Sequence, residues 1–406
     1  MTPQWRAEPI ETDLSRAAAK TGADRLVPCV FTDLETVEPI WRELESRAVT
    51  TPYQRYDWIA AIREASLDTH DQLAMVVFSR GSRPMALLPL AISRKCGLAV
   101  GTLIGTGQSN ADFLPHDARA NADLTAAALR LGLGAIRARG IALDLVRFSN
   151  QPADWQGVAN PLLRFAHRPG ANNLYLTDLT GKTAPFIENH MAHKRRSNIK
   201  RGARRLEELL GPVRLQRAET AEELRLVHET FLAQRAARFA VMGIDNVFAS
   251  DAFVSFFSGL AEKEFGKARP ALRFHALYAG ETIVATCCGA FAGSHYSQYI
   301  NSTAEGPAAR FSLMSILVAE LIDELLGAGI TSFDMGLGDF DYKRDWTEPM
   351  PVFDTVVPVT LAGSLALPVM DLSRSGKRFI KQNPALWKLA RGIRLGLYRA
   401  RRLGRD

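Results

Sequence analysis

The segment 333–346 concentrates carboxylate, basic and aromatic side chains directly after an apolar run. Asp334 lies within a predicted strand over residues 330–337, and Asp339 follows Gly338 in the loop after it. A carboxylate in either place can remove or orient a proton on an acceptor molecule. For Asp334, a structural ion pair with one of the following basic residues is the alternative. Both aspartates are candidate catalytic residues.

Four further residues of this segment are candidates for binding a substrate. Asp341 can orient an acceptor, and Lys343 can bind an acidic one. Tyr342 and Trp346 add aromatic surface, and Trp346 is able to stack on a sugar ring. Loops on a rigid scaffold often carry function, so their concentration after a strand end indicates an acceptor site.

The elements that must position these residues run from Leu272 to Trp346. The apolar pattern predicts strand, turn, strand, helix and strand, with the helix starting at Ser312 as a candidate N-cap. The first turn of such a helix has free N–H groups, which favour an anionic ligand. Small residues before Ser312 allow close backbone approach, and Arg310 can pair with phosphate.

The same plan occurs twice in the chain, which indicates two related domains of mixed α/β (α+β) class. In both halves a hairpin precedes a helix, a glycine and a strand with one aspartate, as in Gly140–Leu145 and Gly329–Met335. Each domain is predicted to be a mixed twisted sheet flanked by helices. The predicted boundaries are a loose leader 1–24, domains 25–165 and 172–370, and a basic tail 374–406.

Charge is concentrated in two basic segments. The chain carries +7 in total, of which residues 374–406 supply +10 and the remainder −3. Residues 193–205 hold seven basic residues and no acid, which favours an anion-binding helix with Lys194, Arg195 and Arg196 as substrate-binding candidates. A solvated amphipathic helix is the alternative. Without interleaved aromatic residues, sequence-specific nucleic-acid binding is not indicated.

The tail has a second possible partner. Residues 384–403 alternate apolar and basic side chains in a pattern that suits a helix on an anionic membrane surface, or one packed on the protein body. The chain contains no apolar run of about 18 residues and its first residues do not form a secretory signal. The expected location is the cytoplasm, with peripheral membrane contact as an option. Four cysteines without zinc-site spacing predict neither a disulfide framework nor a metal.

Three strings in this sequence resemble a known family. Lys194–Arg201 is similar to a basic helix, and Phe333–Asp339 followed by Tyr342–Trp346 to a closing strand and the motif after it. The third string is the C-terminal Arg/Leu helix. With the order of elements, they resemble the CelD-like (cellulose-biosynthesis) acetyltransferases of the GNAT superfamily, which are relatives of the Fem aminoacyltransferases. The resemblance covers roughly residues 25–400 and implies tandem GNAT-like domains, the first of them degenerate.

The resemblance also implies a co-substrate and its site. In the GNAT fold two strands splay apart to hold the pantetheine arm of acetyl-CoA or another acyl-CoA, and the next helix binds its pyrophosphate. The corresponding residues here are Ala309, Arg310, Phe311, Ser312 and Leu313. The usual Arg/Gln-x-x-Gly-x-Gly/Ala pattern is absent, so another thioester or an aminoacyl donor is an alternative. Tyr299 is a candidate general acid for the leaving thiolate.

The sequence thus predicts an acyl-CoA-dependent N- or O-acyltransferase, without a metal or an acyl-enzyme intermediate. By resemblance, the acceptor is a sugar, an amino sugar or a cell-envelope polysaccharide precursor. One rival is Fem-like aminoacyl transfer from charged tRNA, against which the absence of a long heptad segment counts. The other is a non-catalytic docking subunit of a membrane polysaccharide machine.

Overall fold

Two units of mixed sheet and helices make up the described chain. The computed structural model describes residues 25–68, 70, 72–368 and 383. The first unit takes its described residues from 1–60, 68–170 and 351–374, and the second from 61–67, 171–350 and 375–406. The predicted leader 1–24 and, except for residue 383, the predicted tail 374–406 lie outside the described residues, as does the amphipathic pattern at 384–403.

The first unit is built on a mixed sheet in which helices follow strands as the apolar pattern predicts. The elements of this part of the chain are β1 (Val27–Phe31), α1 (Leu34–Glu45), α2 (Tyr56–Glu64), β2 (Gln72–Arg80), β3 (Arg83–Lys95), β4 (Leu98–Leu103), α3 (Ala126–Ala138), β5 (Leu145–Pro152), β6 (Asp154–Trp155) and β7 (Val158–Ala159). The strands β1 to β4 are antiparallel neighbours, and β4 pairs with β5 in parallel.

Two features of this unit differ from the sequence prediction. The Ala/Leu pattern predicts a helix over residues 121–139, but helix α3 begins at Ala126, because the Thr125 hydroxyl accepts from the N–H of Ala128 and caps the helix there. In addition, β14 (Glu348–Pro358), from Pro351 onward, pairs antiparallel with β5, with Val352 opposite Pro152. The predicted boundary at residue 370 had assigned this strand to the second domain.

The second unit contains the segments that carry the candidate site. Its elements are β8 (His167–Asp178) from Ala171 onward, α4 (Phe186–His190), α5 (His193–Leu210), β9 (Val213–Arg217), α6 (Ala221–Met242), α7 (Asp251–Lys263), β10 (Arg273–Ala279), β11 (Thr282–Ala292), β12 (His295–Thr303), α8 (Leu313–Gly327) and β13 (Ser332–Leu337). The strand order is β8-β13-β12-β11-β10-β9. Only β12 and β13 pair in parallel among these neighbours. This is the mixed α/β architecture that the sequence predicts.

Helices cover both faces of this sheet. Ile199 and Leu206 of α5 lie in one apolar core with α8 and Leu277 of β10. On the other face, Phe257 of α7 packs edge-on against Phe274 of β10 at a centroid distance of 5.9 Å. Side chains alternate along a strand, so positions 274 and 277 of β10 point to opposite faces. Helices α5 and α8 therefore lie on one face, and α6 and α7 on the other.

Candidate active site

A wedge opens between β12 and β13. Their parallel ladder begins with His295 opposite Ser332 and ends with Ser297 opposite Asp334, although β12 runs on to Thr303. Beyond that point β12 stays paired with β11, and β13 with β8. The backbone groups that face the wedge are therefore not used by this ladder, and an extended ligand can hydrogen-bond to them.

A bulge in β12 lies inside the wedge. Gln298 and Ile300 face successive residues of β11, which leaves Tyr299 as the extra residue. A bulge bends the strand locally and redirects a side chain. The Tyr299 ring lies 6.1 Å from that of Phe257, and burial raises the pKa of its hydroxyl. Burial thus makes Tyr299 a weaker acid than an exposed tyrosine, and its role as a proton donor stays a prediction.

The closed end of the wedge is fixed by a buried polar chain around Asp334. Oδ1 of Asp334 accepts hydrogen bonds from the Ser297 hydroxyl at 2.9 Å and the Gly336 N–H at 2.7 Å. Oδ2 lies 2.7 Å from Nε2 of His295, whose Nδ1 lies 2.8 Å from Oγ of Ser332. These contacts join β12 to β13 at the last ladder position. We refer to Ser297, His295, Ser332 and Asp334 as the polar pin.

The polar pin corrects the interpretation of Asp334 as a general base and supports a structural role. The carboxylate is fully buried and both oxygens are engaged, so it cannot reach an acceptor as a general base. Its hydrogen-bond partners are His295, Ser297 and the Gly336 N–H, while Lys343 interacts with it through charge alone, without a direct contact. The sequence could not show this, because His295 lies 39 residues away.

The loop between β12 and α8 presents backbone groups next to the wedge. Residues Pro307–Phe311 form a short 3-10 helix, and Ser312 is left-handed with φ 57°. Ser312 occupies the N-cap position as predicted, but its side chain makes no capping hydrogen bond. In the first turn of α8 the Ser315 N–H is bonded to the Ser312 carbonyl, which leaves the N–H groups of Leu313 and Met314 available to an anion. Ala309 and Arg310 are exposed, whereas the Phe311 and Leu313 side chains are buried and offer only backbone groups.

Helix α5 approaches this loop closely at a glycine. A Cβ atom built on Gly202 would lie 2.6 Å from the Phe311 carbonyl oxygen. Real Cβ atoms do not approach a backbone oxygen so closely, so any larger residue displaces the loop or the helix. Gly202 thus sets the position of the loop that precedes α8.

A basic cleft of about 610 Å³ lies beside this contact. Arg205 of α5 and Arg310 of the loop line it with Leu209, Phe311 and the carboxylate of Glu208. Glu208 is also 3.5 Å from Arg204, outside the set of lining residues. Two arginines beside free helix N–H groups make the cleft suited to a phosphate-bearing ligand. Arg205 belongs to the basic segment 193–205, for which an anion-binding helix was predicted. The residues of that segment predicted to bind substrate were Lys194, Arg195 and Arg196.

Arg195 and Arg196, predicted to bind substrate at the start of α5, are bound to other residues of the protein. Arg195 forms an ion pair with Asp345, and Arg196 donates a 2.9 Å hydrogen bond to the Glu188 carbonyl. Lys194 is exposed. The first turn of α5 is thus tied to the turn after β13 by Arg195, rather than presenting two uncommitted arginines to an anion.

Two of the predicted substrate-binding residues point inward. They are Lys343, in the turn Asp341–Asp345, and Trp346, directly after that turn. Lys343 is 3% exposed and donates hydrogen bonds to the carbonyls of Gly336 at 3.1 Å and Leu337 at 2.8 Å. Trp346 is 4% exposed and stacks on Phe186. Neither side chain can meet an acceptor, which corrects both predictions. They hold the turn against the end of β13.

Burial of Lys343 predicts a dependence of stability on alkaline pH. Burial lowers its pKa from 10.5 to about 8, so the unfolded chain binds more protons between these values. The free energy of unfolding should therefore rise by up to about 3 kcal/mol as pH increases from 8 to 10.5. Urea denaturation of the wild type and Lys343→Met across this range measures the difference. An equal rise in the variant would contradict the assignment to Lys343.

Asp339 is held on the β8 side of β13. It accepts hydrogen bonds from Tyr175 and Asn173, both at 2.9 Å. Burial, followed by the hydrogen bond to Asp339, raises the pKa of Tyr175. Strands β8 and β12 flank β13 on opposite sides. Asp339 is bonded to β8 and Tyr299 lies on β12, so the strand order does not place these two candidate catalytic side chains next to each other. Asp339 is exposed, and it remains a candidate for a role at the rim.

Tyr342 is the residue of the turn that reaches the wedge. Its hydroxyl lies 3.5 Å from the Asn301 side-chain nitrogen on β12, beyond the bulge. Asp341 beside it is exposed. The turn thus places one phenol at the open end of the wedge and one carboxylate in solvent.

Within the described ranges, no group of His, Cys, Asp and Glu side chains is arranged to hold a metal ion. In the same part of the chain, no helix combines the length and apolarity needed to cross a membrane.

The sequence matches one known family in its second half. Residues 193–344 match the family model described as an acetyltransferase (GNAT) domain. The match contains the wedge, the loop before α8, the basic cleft and the turn after β13. These residues form a GNAT-type acyltransferase domain, and the protein is an acyltransferase. GNAT domains use acyl-CoA.

Solved structures extend the likeness of the fold beyond this segment. FemX has 11% sequence identity and a TM-score of 0.57, with 84% of this chain and 99% of that chain covered. The C-terminal domain of a putative lysylphosphatidylglycerol synthetase from Agrobacterium fabrum has 16% identity and a TM-score of 0.49, covering 84% and 96%. A tandem GNAT protein from the clavulanic acid pathway has 13% identity and a TM-score of 0.43, covering 83% and 99%. No curated protein matches the sequence.

Proposed function

We propose that this acyltransferase is CelD-like and transfers an acyl group, in the simplest case acetyl, from acyl-CoA to a sugar, an amino sugar or a cell-envelope polysaccharide precursor. The observation that carries the donor part is the basic cleft lined by Arg205 and Arg310, next to the loop that leads into α8. The acceptor part rests on family resemblance. An anionic membrane surface is the proposed partner of residues 384–403.

The residues of the domain fit an acyl-CoA donor. Arg205, Arg310 and the first N–H groups of α8 would hold its phosphates, and the wedge edges of β12 and β13 would hold its arm. When bound, acyl-CoA supplies a thioester carbon open to attack by an amine or hydroxyl. Two arginines and free backbone N–H groups can bind the phosphates of acyl-CoA without the glycine-rich pattern that this sequence lacks.

The chain offers two proton donors near the wedge. Tyr299 remains protonated because burial raises its pKa, and the Tyr342 hydroxyl lies at the open end beside Asn301. Either phenol can donate its proton to a departing thiolate. The exposed carboxylates of Asp339 and Asp341 are candidates for accepting the proton of the acceptor.

Titration calorimetry with acetyl-CoA tests the donor site. We expect Arg205→Gln and Arg310→Gln each to raise the Kd about tenfold, because each removes a charge-assisted hydrogen bond to phosphate. Arg201→Gln is the matched control, since Arg201 lies about one turn before Arg205 but donates a hydrogen bond to Asn198, and neither of these two residues lines the cleft.

Absence of binding at millimolar acetyl-CoA would overturn the acetyl-CoA donor, and an equal effect of Arg201→Gln would overturn the cleft as its site. For the acceptor, thiol release from acetyl-CoA is measured with a panel of neutral sugars, amino sugars and uronic acids. Activity only with charged tRNA in a purified assay would instead favour the Fem-like aminoacyltransferase. Metabolite profiling of a deletion strain then identifies the accumulated acceptor.

A further inference from the structure

An arginine on α6 lies in an aromatic surrounding without a counterion. The guanidinium carbon of Arg235 is 5.9, 5.0 and 5.5 Å from the ring centroids of Phe231, Phe239 and Phe248. The side chain is half-buried, and its Nε has no hydrogen-bond partner among the described residues. By contrast, the exposed Arg225 on the same helix is 3.2 Å from Glu229.

This position disfavours a charge unless something else compensates for it. Burial, followed by repulsion from Arg238, lowers the pKa of Arg235 to about 10. Aromatic faces stabilise a cation in part. A buried charge normally has a hydrogen-bonded partner of opposite sign, and the described chain provides none within ion-pair distance.

The guanidinium of Arg235 is also held near β12, the strand that forms one edge of the wedge. The neighbouring Gln234 accepts a 2.7 Å hydrogen bond from Ser302 of β12 and donates one to the Ile283 carbonyl of β11. Tyr342 is close enough to act on the charge of Arg235. Helix α6 therefore cannot turn Arg235 away from the sheet without breaking these contacts.

We propose that Arg235, with Arg238 one turn further, binds an anionic group of the acceptor, a carboxylate or a phosphate. Helix α6 covers the face of the sheet opposite to α5 and α8, so this anion is distinct from the phosphates at Arg205 and Arg310. The acceptor class narrows to acidic sugars and sugar phosphates. This assignment to an acceptor rests on the proposed function.

Labelling of arginines with phenylglyoxal, read by peptide mass spectrometry, tests the site in the full chain. Glucose 1-phosphate and glucuronate are the probes, glucose is the neutral control, and ionic strength is constant. At ten times its Kd, a binding probe should slow labelling of Arg235 about tenfold and leave that of Arg225 unchanged. Protection by one probe alone identifies the phosphate or the carboxylate as the preferred group. Failure of both anions to protect Arg235 overturns the proposal.

Arg235→Met separates a binding role from a structural one. If Arg235 serves binding, its replacement by methionine should not lower the Tm, because the change removes a buried charge that has no counterion. A marked fall in Tm indicates instead that the cation supports the aromatic cluster, and it would count against the proposal. Calorimetry of this variant with acetyl-CoA should give the wild-type Kd. If the wild type itself does not bind acetyl-CoA, the proposed donor fails while the labelling result still decides whether Arg235 binds anions.

Discussion

Asp334→Ala should lower the free energy of unfolding by about 3–5 kcal/mol, since it leaves buried partners of the polar pin without an acceptor. The Ser297 hydroxyl, the Gly336 N–H and His295 all lose their contact with the carboxylate. The wedge should lose its fixed closed end, and acyl transfer should fall with it. Urea denaturation followed by circular dichroism measures the change in stability.

Asp341→Ala is the matched control for this change. Asp341 is an exposed carboxylate of the same segment, and its removal should change the free energy of unfolding by no more than about 0.5 kcal/mol. If Asp334→Ala unfolds at the wild-type urea concentration and loses only turnover, Asp334 acts in chemistry and the pin is not structural.

Gly202→Ala should weaken acyl-CoA binding by about tenfold or more, because its Cβ meets the Phe311 carbonyl in the loop before α8. The new atom would lie 2.6 Å from that oxygen, and a backbone oxygen cannot rotate away as a side chain can. Overpacking of this kind costs about 1–3 kcal/mol, more than the roughly 1 kcal/mol that alanine gains over glycine in a helix. The displaced loop carries Arg310, so the Kd rises with the loss of stability.

Gly259→Ala on α7 is the control, because nothing lies within 4 Å of a Cβ built there. That variant should be more stable than the wild type by roughly 0.5–1 kcal/mol and should bind acetyl-CoA normally. The two variants make the same change in helices of the same unit, so the comparison isolates the contact with the loop. Wild-type binding by Gly202→Ala would show that the loop adapts and does not depend on α5.

The order of elements in the second unit was predictable because strands there alternate or run apolar and the helices have clear ends. The strand Thr282–Ala292 ends one residue after its predicted end at Phe291, and His295–Thr303 starts as predicted but ends three residues after the predicted Ile300. Strands β8 and β14 were missed, since Pro169, Gly170 and the prolines at 349 and 351 are typical of turns. Their partners lie far away in the chain, which a local pattern does not reveal.

The location of the candidate site was also predictable, but the directions of its side chains were not. A dense polar segment after a strand marks the turn at 341–345, and that turn does border the wedge through Tyr342. The inward direction of Lys343 and Trp346 depends on the Gly336 carbonyl and on Phe186, which meet them only in the folded chain. For Arg235 the sequence does show Phe231 and Phe239 at helical spacing, but the approach of Phe248 from the loop and the lack of a counterion depend on the fold.

A change in the length of helix α5 would disturb three separate contacts. Arg195 and Gly202 are seven residues apart, so they lie on nearly the same side of the helix, and Arg205 follows less than one turn later. Removal of one residue between positions 195 and 202 would rotate Arg195 by about 100° relative to the others. Insertions and deletions should therefore be excluded from this helix among natural relatives, even where the surrounding loops vary in length.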